Sequence, residues 1–127
     1  MSTRTVNPTQ WTEIPVTDLQ KGMDFYSAVF GWSLSIDDTG PNPVAFLPMD
    51  EDGSGTAGHL YPGKPAAKGS GPTVHFHVQS TVEDAIQRVN DAGGEASDMI
   101  IDIPQGRFAY GTDPDGNSIG LFQYNQG

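Results

Sequence analysis

Residues 13–32, EIPVTDLQKGMDFYSAVFGW, decide the fold of this chain. An extended apolar segment opens the stretch, and Asp18 follows it as a residue type that commonly caps a helix N-terminus. Apolar side chains then recur at the three-to-four-residue spacing of a buried helix face, between residues 19 and 30. Gly31 supplies a residue that readily adopts the left-handed conformation of a helix end. The stretch therefore predicts a strand followed by a helix that stops at Gly31.

The same pattern recurs further along the chain at a constant offset of 62 residues (78 − 16 = 62), which places Val78 on Val16. Continued without a gap, this offset places Phe108 on Phe46 and keeps several glycines and apolar positions in step. A repeat of this length is typical of two copies of one supersecondary unit. We therefore expect two similar halves.

Each half predicts one strand, one helix and three further strands, with the halves joined by the Gly- and Pro-rich segment PGKPAAKGSGP. The fold class is α+β, with two tandem βαβββ modules forming a curved mixed sheet around a central cleft. We expect a single domain over residues 1–127, with module one at about 9–61, a linker at 62–72 and module two at about 73–124. The later strands are predicted at residues 32–36, 44–48, 56–61, 95–100, 107–112 and 118–124.

Composition excludes several classes of function. The 127 residues carry a formal net charge of -10, and their six Lys and Arg residues are scattered along the chain. Nucleic acid requires a basic surface, and an anionic membrane would repel this chain, so neither is an expected partner. The absence of cysteine excludes disulfides, thiol catalysis and Cys-ligated zinc. The polar N-terminus lacks an apolar signal core, so we expect a cytoplasmic protein.

Two segments resemble a known family. Residues 13–32 are similar to the opening of the vicinal oxygen chelate superfamily, and TDPDGNSIGLFQ, residues 112–123, is similar to its closing motif. This superfamily includes glyoxalase I, bleomycin-resistance proteins and extradiol dioxygenases. The resemblance implies paired βαβββ modules around an open cleft, and often a homodimer. In the family's enzymes a divalent metal is held by four side chains, one from the first and one from the last strand of each module.

The resemblance places these four ligand positions at Trp11, Gly58, Thr73 and Gly120. None is a good ligand, because indole offers only an N–H donor, the threonine hydroxyl is weak and glycine has no side chain. We therefore expect no metal at the family's usual site and no other cofactor, while a divalent metal held elsewhere in the cleft stays open.

Glu13 and His75 are repeat partners that should face each other across the cleft, and three interpretations of them stay open. They hydrogen-bond each other as a structural pair, or they form a catalytic pair that transfers protons. In the third interpretation, Glu13, His75 and His77 hold a divalent metal ion. His59 has the opposite strand parity to Gly58 and is expected to point away from the cleft.

Aromatic and polar side chains near the predicted cleft suit a small-molecule ligand. Those expected to contact it are Trp11, Phe46, Leu60, Thr73, His77, Phe108, Tyr110 and Phe122. We expect a small-molecule-binding, glyoxalase-like protein without the usual metal site, one that sequesters or confers resistance to a toxic compound. The alternatives are a lyase or isomerase that acts on a small oxygenated or thiol-conjugated substrate through Glu13 and His75, and a purely structural or partner-binding protein.

Overall fold

The computed structural model describes residues 8–50 and 57–125, which form two helices and nine strands. In chain order the elements are β1 (Trp11–Val16), α1 (Leu19–Phe30), β2 (Ile36–Asp37), β3 (Val44–Phe46), β4 (Ala57–Pro62), β5 (Val74–His77), α2 (Val82–Asp91), β6 (Glu95–Ala96), β7 (Ile101–Ile103), β8 (Gly106–Thr112) and β9 (Ser118–Tyr124).

The strands form two mixed sheets, one in each half of the chain. Module one, from β1 to β4, has the strand order β1-β4-β3-β2, and module two, from β5 to β9, has the order β5-β9-β8-β6 with β7 also paired to β8. In both modules the first strand pairs in parallel with the last, and the other pairs are antiparallel. The predicted α+β class with two βαβββ modules is confirmed.

Strand bounds differ from the predictions in two places. Of the strand expected at residues 95–100, only the first two residues are extended, as β6, and a separate short strand, β7, follows that range and pairs with another part of β8. In module one, the strand expected at 32–36 overlaps β2 only at Ile36. The predicted start of the fourth strand, Thr56, lies outside the described residues.

Local capping explains why both helices begin and end where they do. Asp18 Oδ1 accepts a hydrogen bond from the Lys21 backbone N–H at 3.0 Å, and Thr81 Oγ1 accepts one from Asp84 N–H at 3.1 Å. Gly31 follows α1 with a φ of 75°, the left-handed conformation that glycine adopts without strain. Neither helix in the described part of the chain is long and apolar enough to span a membrane.

One apolar core is shared by both modules. Alternate residues of β1 and β5 point inward, so that Val16 and Val78 are both buried beneath the helices. Inward residues of the later strands also match in pairs: Ala45 pairs with Leu60 across β3 and β4, as Ala109 pairs with Leu121 across β8 and β9.

These pairs show that the constant offset of the repeat does not extend to the later strands. All four side chains are fully buried, which identifies Leu60 with Leu121 and Ala45 with Ala109. The offset is 64 for the alanines (109 − 45 = 64) and 61 for the leucines (121 − 60 = 61), so lengths differ both before β3 and in the connection between β3 and β4. By register, Phe46 therefore corresponds to Tyr110 and not to Phe108.

A buried carboxylate joins the modules at the turn between β8 and β9. Asp113 is only 3% exposed, and it accepts hydrogen bonds from Tyr26 Oη at 2.8 Å and from Asn117 Nδ2 at 2.9 Å. The same Asn117 amide donates to the Pro15 carbonyl oxygen in module one. Burial, and then the Asp113 carboxylate, raises the pKa of Tyr26, so its hydroxyl stays a donor. This network holds the end of β1 against module two.

Candidate functional site

Each sheet has an outer face that points away from the shared core, and the candidate site residues lie on these two faces. Face one, in module one, consists of Trp11, Glu13, Phe46, His59 and Tyr61. Face two, in module two, consists of His75, His77, Phe108, Tyr110 and Phe122. The strand pairings bring the side chains within each face together.

A chain of hydrogen bonds crosses face one. Trp11 Nε1–H donates to His59 Nδ1 at 3.0 Å, and His59 Nε2 lies 3.2 Å from Glu13 Oε1. Because indole nitrogen can only donate, Nδ1 must accept, and the proton of the neutral imidazole is assigned to Nε2, where it points at the carboxylate. The Glu13 side chain is 65% exposed, whereas that of His59 is 16% exposed. These hydrogen bonds therefore fix the His59 imidazole, which in turn holds one oxygen of the Glu13 carboxylate while the rest of that side chain is exposed to solvent.

The prediction that His59 points away from the site is wrong. Glu13 lies directly opposite His59 in the parallel pairing of β1 with β4, so both side chains emerge on the same face. Gly58 is instead the inward-pointing residue, paired with Thr12. The residue of module one in register with Gly120 is therefore His59, not Gly58.

A cavity of about 360 Å³ adjoins face one. Its floor includes Glu13 and His59, and Phe46 and Tyr61 contribute aromatic walls beside the imidazole. Asp37, at the end of β2, lies on the wall, and the loop that follows it closes one side. Asp37 Oδ1 accepts hydrogen bonds from the backbone N–H and the hydroxyl of Thr39, and these bonds lower the pKa of Asp37. The cavity thus combines apolar walls with two carboxylates.

Face two is a continuous aromatic surface. The His75 ring lies directly on Gly120, where a side chain would collide with it. Around it, the ring centroids of Phe108, Tyr110 and Phe122 lie 5.2, 5.6 and 6.4 Å away. The His75 imidazole therefore fills the space that the missing side chain of Gly120 leaves. Burial lowers the pKa of His75, which favours its neutral form.

Glu13 and His75 do not form the expected structural pair. Glu13 binds His59 within module one, and His75 packs on rings within module two. No hydrogen bond or ion pair joins them within residues 8–50 and 57–125, so the interpretation in which they satisfy each other is wrong. The sequence correctly predicted that Glu13 and His75 lie on the first strands of their modules, but not which side chains contact them.

The family's metal positions do not fit a metal ion here. With His59 as the corrected last-strand residue, the set becomes Trp11, His59, Thr73 and Gly120. The Trp11 N–H occupies the free lone pair of His59, and the Thr73 hydroxyl lies 2.5 Å from Ser118 Oγ. Gly120 contributes no side chain. Of these four residues, only His59 has a side chain that commonly binds metal ions, and both of its ring nitrogens already have partners in Trp11 and Glu13.

The alternative metal set of Glu13, His75 and His77 is not assembled either. Over the described part of the chain, no three His, Asp or Glu side chains come close enough together to hold one ion. His77 packs its ring on Tyr124, 5.4 Å between centroids, at the edge of face two.

Leu60 was predicted to line the site, and this placement is wrong. It is fully buried on the core side of β4, because its neighbours His59 and Tyr61 take the outward positions. Thr73 lies just before β5, half-buried against Ser118.

A second hollow of about 340 Å³ lies between the modules. Thr12 and Leu47 line it from module one, and β5 and Tyr124 line it from module two. This hollow corresponds to the cleft expected between the halves. Glu13 is not part of its lining, so the carboxylate and the inter-module hollow are separate features.

Sequence reasoning missed three residues of the face-one cavity: His59, Tyr61 and Asp37. The dipeptide His59-Leu60, matched to Gly120-Leu121 by the buried leucine, is the signal that could have corrected the alignment. Asp37 depends on the path of a loop, which no periodic pattern predicts.

Comparison with known proteins identifies relatives over nearly the whole chain. The model of the Glyoxalase/Bleomycin resistance protein/Dioxygenase superfamily matches residues 9–121. A curated relative from Mycobacterium bovis, CFP32, whose name describes a candidate glyoxylase, is 26% identical over 123 residues. The match covers 91% of this chain and 45% of CFP32, so the chain spans about half the length of the curated relatives it matches.

Solved structures share the fold. A glyoxalase/bleomycin resistance protein from Albidiferax ferrireducens T118 superimposes with a TM-score of 0.68 at 22% identity, covering 94% of this chain and 100% of that one. TnmS3, an antibiotic binding protein from Streptomyces sp. CB03234, superimposes with a TM-score of 0.63 at 27% identity, covering 97% and 100% of the two chains. Together with the matched family model, these similarities show that the chain belongs to the glyoxalase/bleomycin resistance protein/dioxygenase superfamily.

Proposed function

We propose that this protein binds a small organic molecule on face one without a metal ion, and that it acts by sequestering a toxic compound. Phe46 and Tyr61 provide aromatic contact area, and Glu13 provides a hydrogen-bond acceptor. Trp11 serves as the outer ring that packs on Phe46, with 6.1 Å between centroids.

The observation that carries this proposal is the Trp11–His59–Glu13 chain of hydrogen bonds. At positions where the family's enzymes hold a metal, this chain places an indole and an imidazole that bind each other. The adjoining cavity of about 360 Å³ lies in the size range of small-molecule sites, and apolar walls with a few convergent polar groups are their usual composition.

The relatives support the same interpretation. TnmS3 is named an antibiotic binding protein, and it is the more similar in sequence of the two solved structures described above. The superfamily name also includes bleomycin resistance proteins. These names describe other proteins, and we carry the binding role to this chain as a proposal.

Ligand titrations monitored by tryptophan fluorescence test the proposal, because Trp11 is one of only two tryptophans. Metal-free bleomycin and a panel of polycyclic antibiotics would be added to protein treated with a chelator. We expect at least one compound to saturate the signal. We also expect Phe46→Ala to weaken its binding by about 10-fold or more, since a buried aromatic contact is lost.

Met99→Ala is the matched control, because Met99 is a large, 69% exposed apolar residue of module two that does not line the face-one cavity. Its affinity should stay within about twofold of the wild type, as expected for an uninvolved surface position. Equal losses in both variants, or no saturable ligand in the whole panel, would contradict the proposal.

One observation favours a second candidate function, a lyase or isomerase of the glyoxalase type. Glu13 has one oxygen held by His59 while the side chain stays 65% exposed, which suits a carboxylate that accepts a substrate proton. His75, neutral on face two, is the second group proposed for such chemistry. Turnover of the methylglyoxal–glutathione hemithioacetal, lost in Glu13→Gln, would favour this candidate over sequestration.

We also propose that the protein is a cytoplasmic homodimer. Face two exposes Tyr110 at 46%, and the neighbouring Tyr124 is 58% exposed, which leaves aromatic area for a second copy to cover. Because the chain spans 45% of CFP32, a dimer would also match the length of that relative. Sedimentation equilibrium measures the assembly, and a monomer at micromolar concentration would exclude it.

A further inference from the structure

The cavity on face one has a charge pattern that suggests which ligands it accepts. Its apolar walls are Pro41, Val44, Phe46 and Tyr61. Two carboxylates, Glu13 and Asp37, also line it, and none of its described lining residues is a lysine or arginine. The polar groups that meet a ligand here are therefore mainly hydrogen-bond acceptors with negative charge.

Both carboxylates are oriented by the protein and keep one oxygen available. Glu13 Oε1 binds His59, and Asp37 Oδ1 binds Thr39, so each carboxylate is held through a single oxygen. Neither Glu13 Oε2 nor Asp37 Oδ2 accepts a hydrogen bond from a side chain or backbone group of the described chain. Two acceptors are thus preorganised on the cavity wall, which reduces the entropy lost on binding.

The aromatic walls complement the same ligand charge. The rings of Phe46 and Tyr61 flank the His59 imidazole, with centroids 6.2 and 5.9 Å from it. Aromatic faces attract cations and stack on planar groups. The chain's net charge of -10 adds a long-range field that draws cations towards the protein. Local and global electrostatics therefore favour the same sign of ligand.

Resting on the proposed function, we propose that the face-one cavity selects planar aromatic cations that carry N–H donors, with Glu13 as the residue that determines this specificity. An amidinium or guanidinium group would donate to Glu13 and Asp37, while its aromatic body packs on Phe46 and Tyr61. Anionic molecules, including carboxylates and glutathione conjugates, meet two fixed negative charges and are rejected.

A matched series of three probes tests this selection by isothermal titration calorimetry: 2-naphthamidine, 2-naphthamide and 2-naphthoate. They share one ring system and differ in charge. We expect the amidine to bind about 10- to 100-fold more tightly than the neutral amide, the range of a charge-assisted hydrogen bond, and the naphthoate to show no binding. Glu13→Gln should remove most of the amidine's advantage over the amide, because the substitution removes the negative charge that distinguishes the two probes.

Asp98→Asn is the control for the overall field, because Asp98 is exposed in the loop between β6 and β7 and the substitution changes the net charge equally. It should change amidine affinity by less than about twofold. The melting temperature of each variant verifies that it folds. We expect Glu13→Gln to fold normally, because the Glu13 side chain is largely exposed.

The outcomes separate this inference from the proposed function. Equal or tighter binding of the amide or the naphthoate overturns the cation selection, even if Phe46→Ala still weakens that binding and the site itself stands. Absence of binding by all three probes, or an amidine affinity unchanged in Glu13→Gln, overturns it as well. Failure of the proposed function is recorded separately, in the antibiotic titrations with Phe46→Ala and Met99→Ala.

Discussion

The two outer faces each carry one imidazole at the central register pair of their parallel strands, but they support it differently. In module one the pair is Glu13 and His59, and the imidazole comes from the last strand. In module two the pair is His75 and Gly120, and the imidazole comes from the first strand. The same backbone position therefore supports a hydrogen-bonded chain on one face and a cluster of edge-to-face aromatic contacts on the other.

This difference shows how much chemistry depends on the residue across the strand pair. Opposite His59 stands a carboxylate, and Trp11 closes the other nitrogen, so both polar edges of the ring are used. Opposite His75 stands a glycine, and the ring occupies the space beside that glycine among phenylalanine and tyrosine rings. Face one is therefore suited to directional recognition, and face two to apolar contact.

The largest expected effect tests whether Gly58 and Gly120 are as different as the faces suggest. An alanine methyl at Gly58 would overlap the Thr12 carbonyl oxygen, a backbone atom in the β1–β4 ladder that cannot turn aside. We expect Gly58→Ala to lower the free energy of unfolding by about 3 kcal/mol, the upper range for overpacking. Urea denaturation followed by circular dichroism measures this loss.

Gly40→Ala provides the comparison, because an added methyl at Gly40 meets no heavy atom within 4 Å. Its stability should change by less than about 0.5 kcal/mol, as for ordinary surface substitutions. If Gly58→Ala were as mild as Gly40→Ala, the close approach of β1 and β4 described above would be wrong.

A smaller effect is expected at Gly120, where the obstacle is a side chain. A methyl there would collide with the His75 ring, which can rotate away into solvent at the cost of its aromatic contacts. We expect Gly120→Ala to cost about 1 kcal/mol. In a His75→Ala background the ring is absent, so the same glycine substitution should cost much less, and a double-mutant cycle measures the difference. Equal costs in both backgrounds would show that the imidazole does not occupy this space.

Most of the fold could be predicted because its signals are local. Asp18, Thr81 and Gly31 mark helix ends through hydrogen bonds and backbone conformations that involve only neighbouring residues. The Asp113-to-Asn117 turn is similarly local. Helix caps, turn chemistry and the alternation of β1 and β5 were therefore sufficient to predict two βαβββ modules.

The site was only partly predictable because it depends on register between distant strands. Glu13 was placed correctly on the first strand, but it was expected to face His75 across the cleft, and its partner is instead His59 across the parallel pairing of β1 with β4. A one-residue shift in alignment moves every side chain to the other face, which is why His59 and Leu60 were exchanged. The match of His59-Leu60 to Gly120-Leu121 indicates that shift only once the buried leucines are known, so the hydrogen-bonded chain became visible only in the structure.

The smallest expected effect concerns pH and face two. Burial lowers the pKa of His75 below its ordinary value of 6.5, so between 6.5 and the folded-state pKa the unfolded chain binds more protons than the folded one. This contribution to stability is fully present above pH 6.5 and is lost as the pH falls through the folded-state pKa. We expect the difference in unfolding free energy between wild type and His75→Gln to shrink as the pH falls through this range. The change should be smaller than the loss expected for Gly58→Ala or Gly120→Ala, because His75 is exposed.

NMR titration of the His75 ring measures its pKa directly. In Gly120→Ala the ring is pushed into solvent, so the pKa of His75 should rise. A His75 that titrates at or above 6.5 in the wild type would remove the contrast between an aromatic cluster that desolvates its imidazole on face two and a hydrogen-bonded chain on face one.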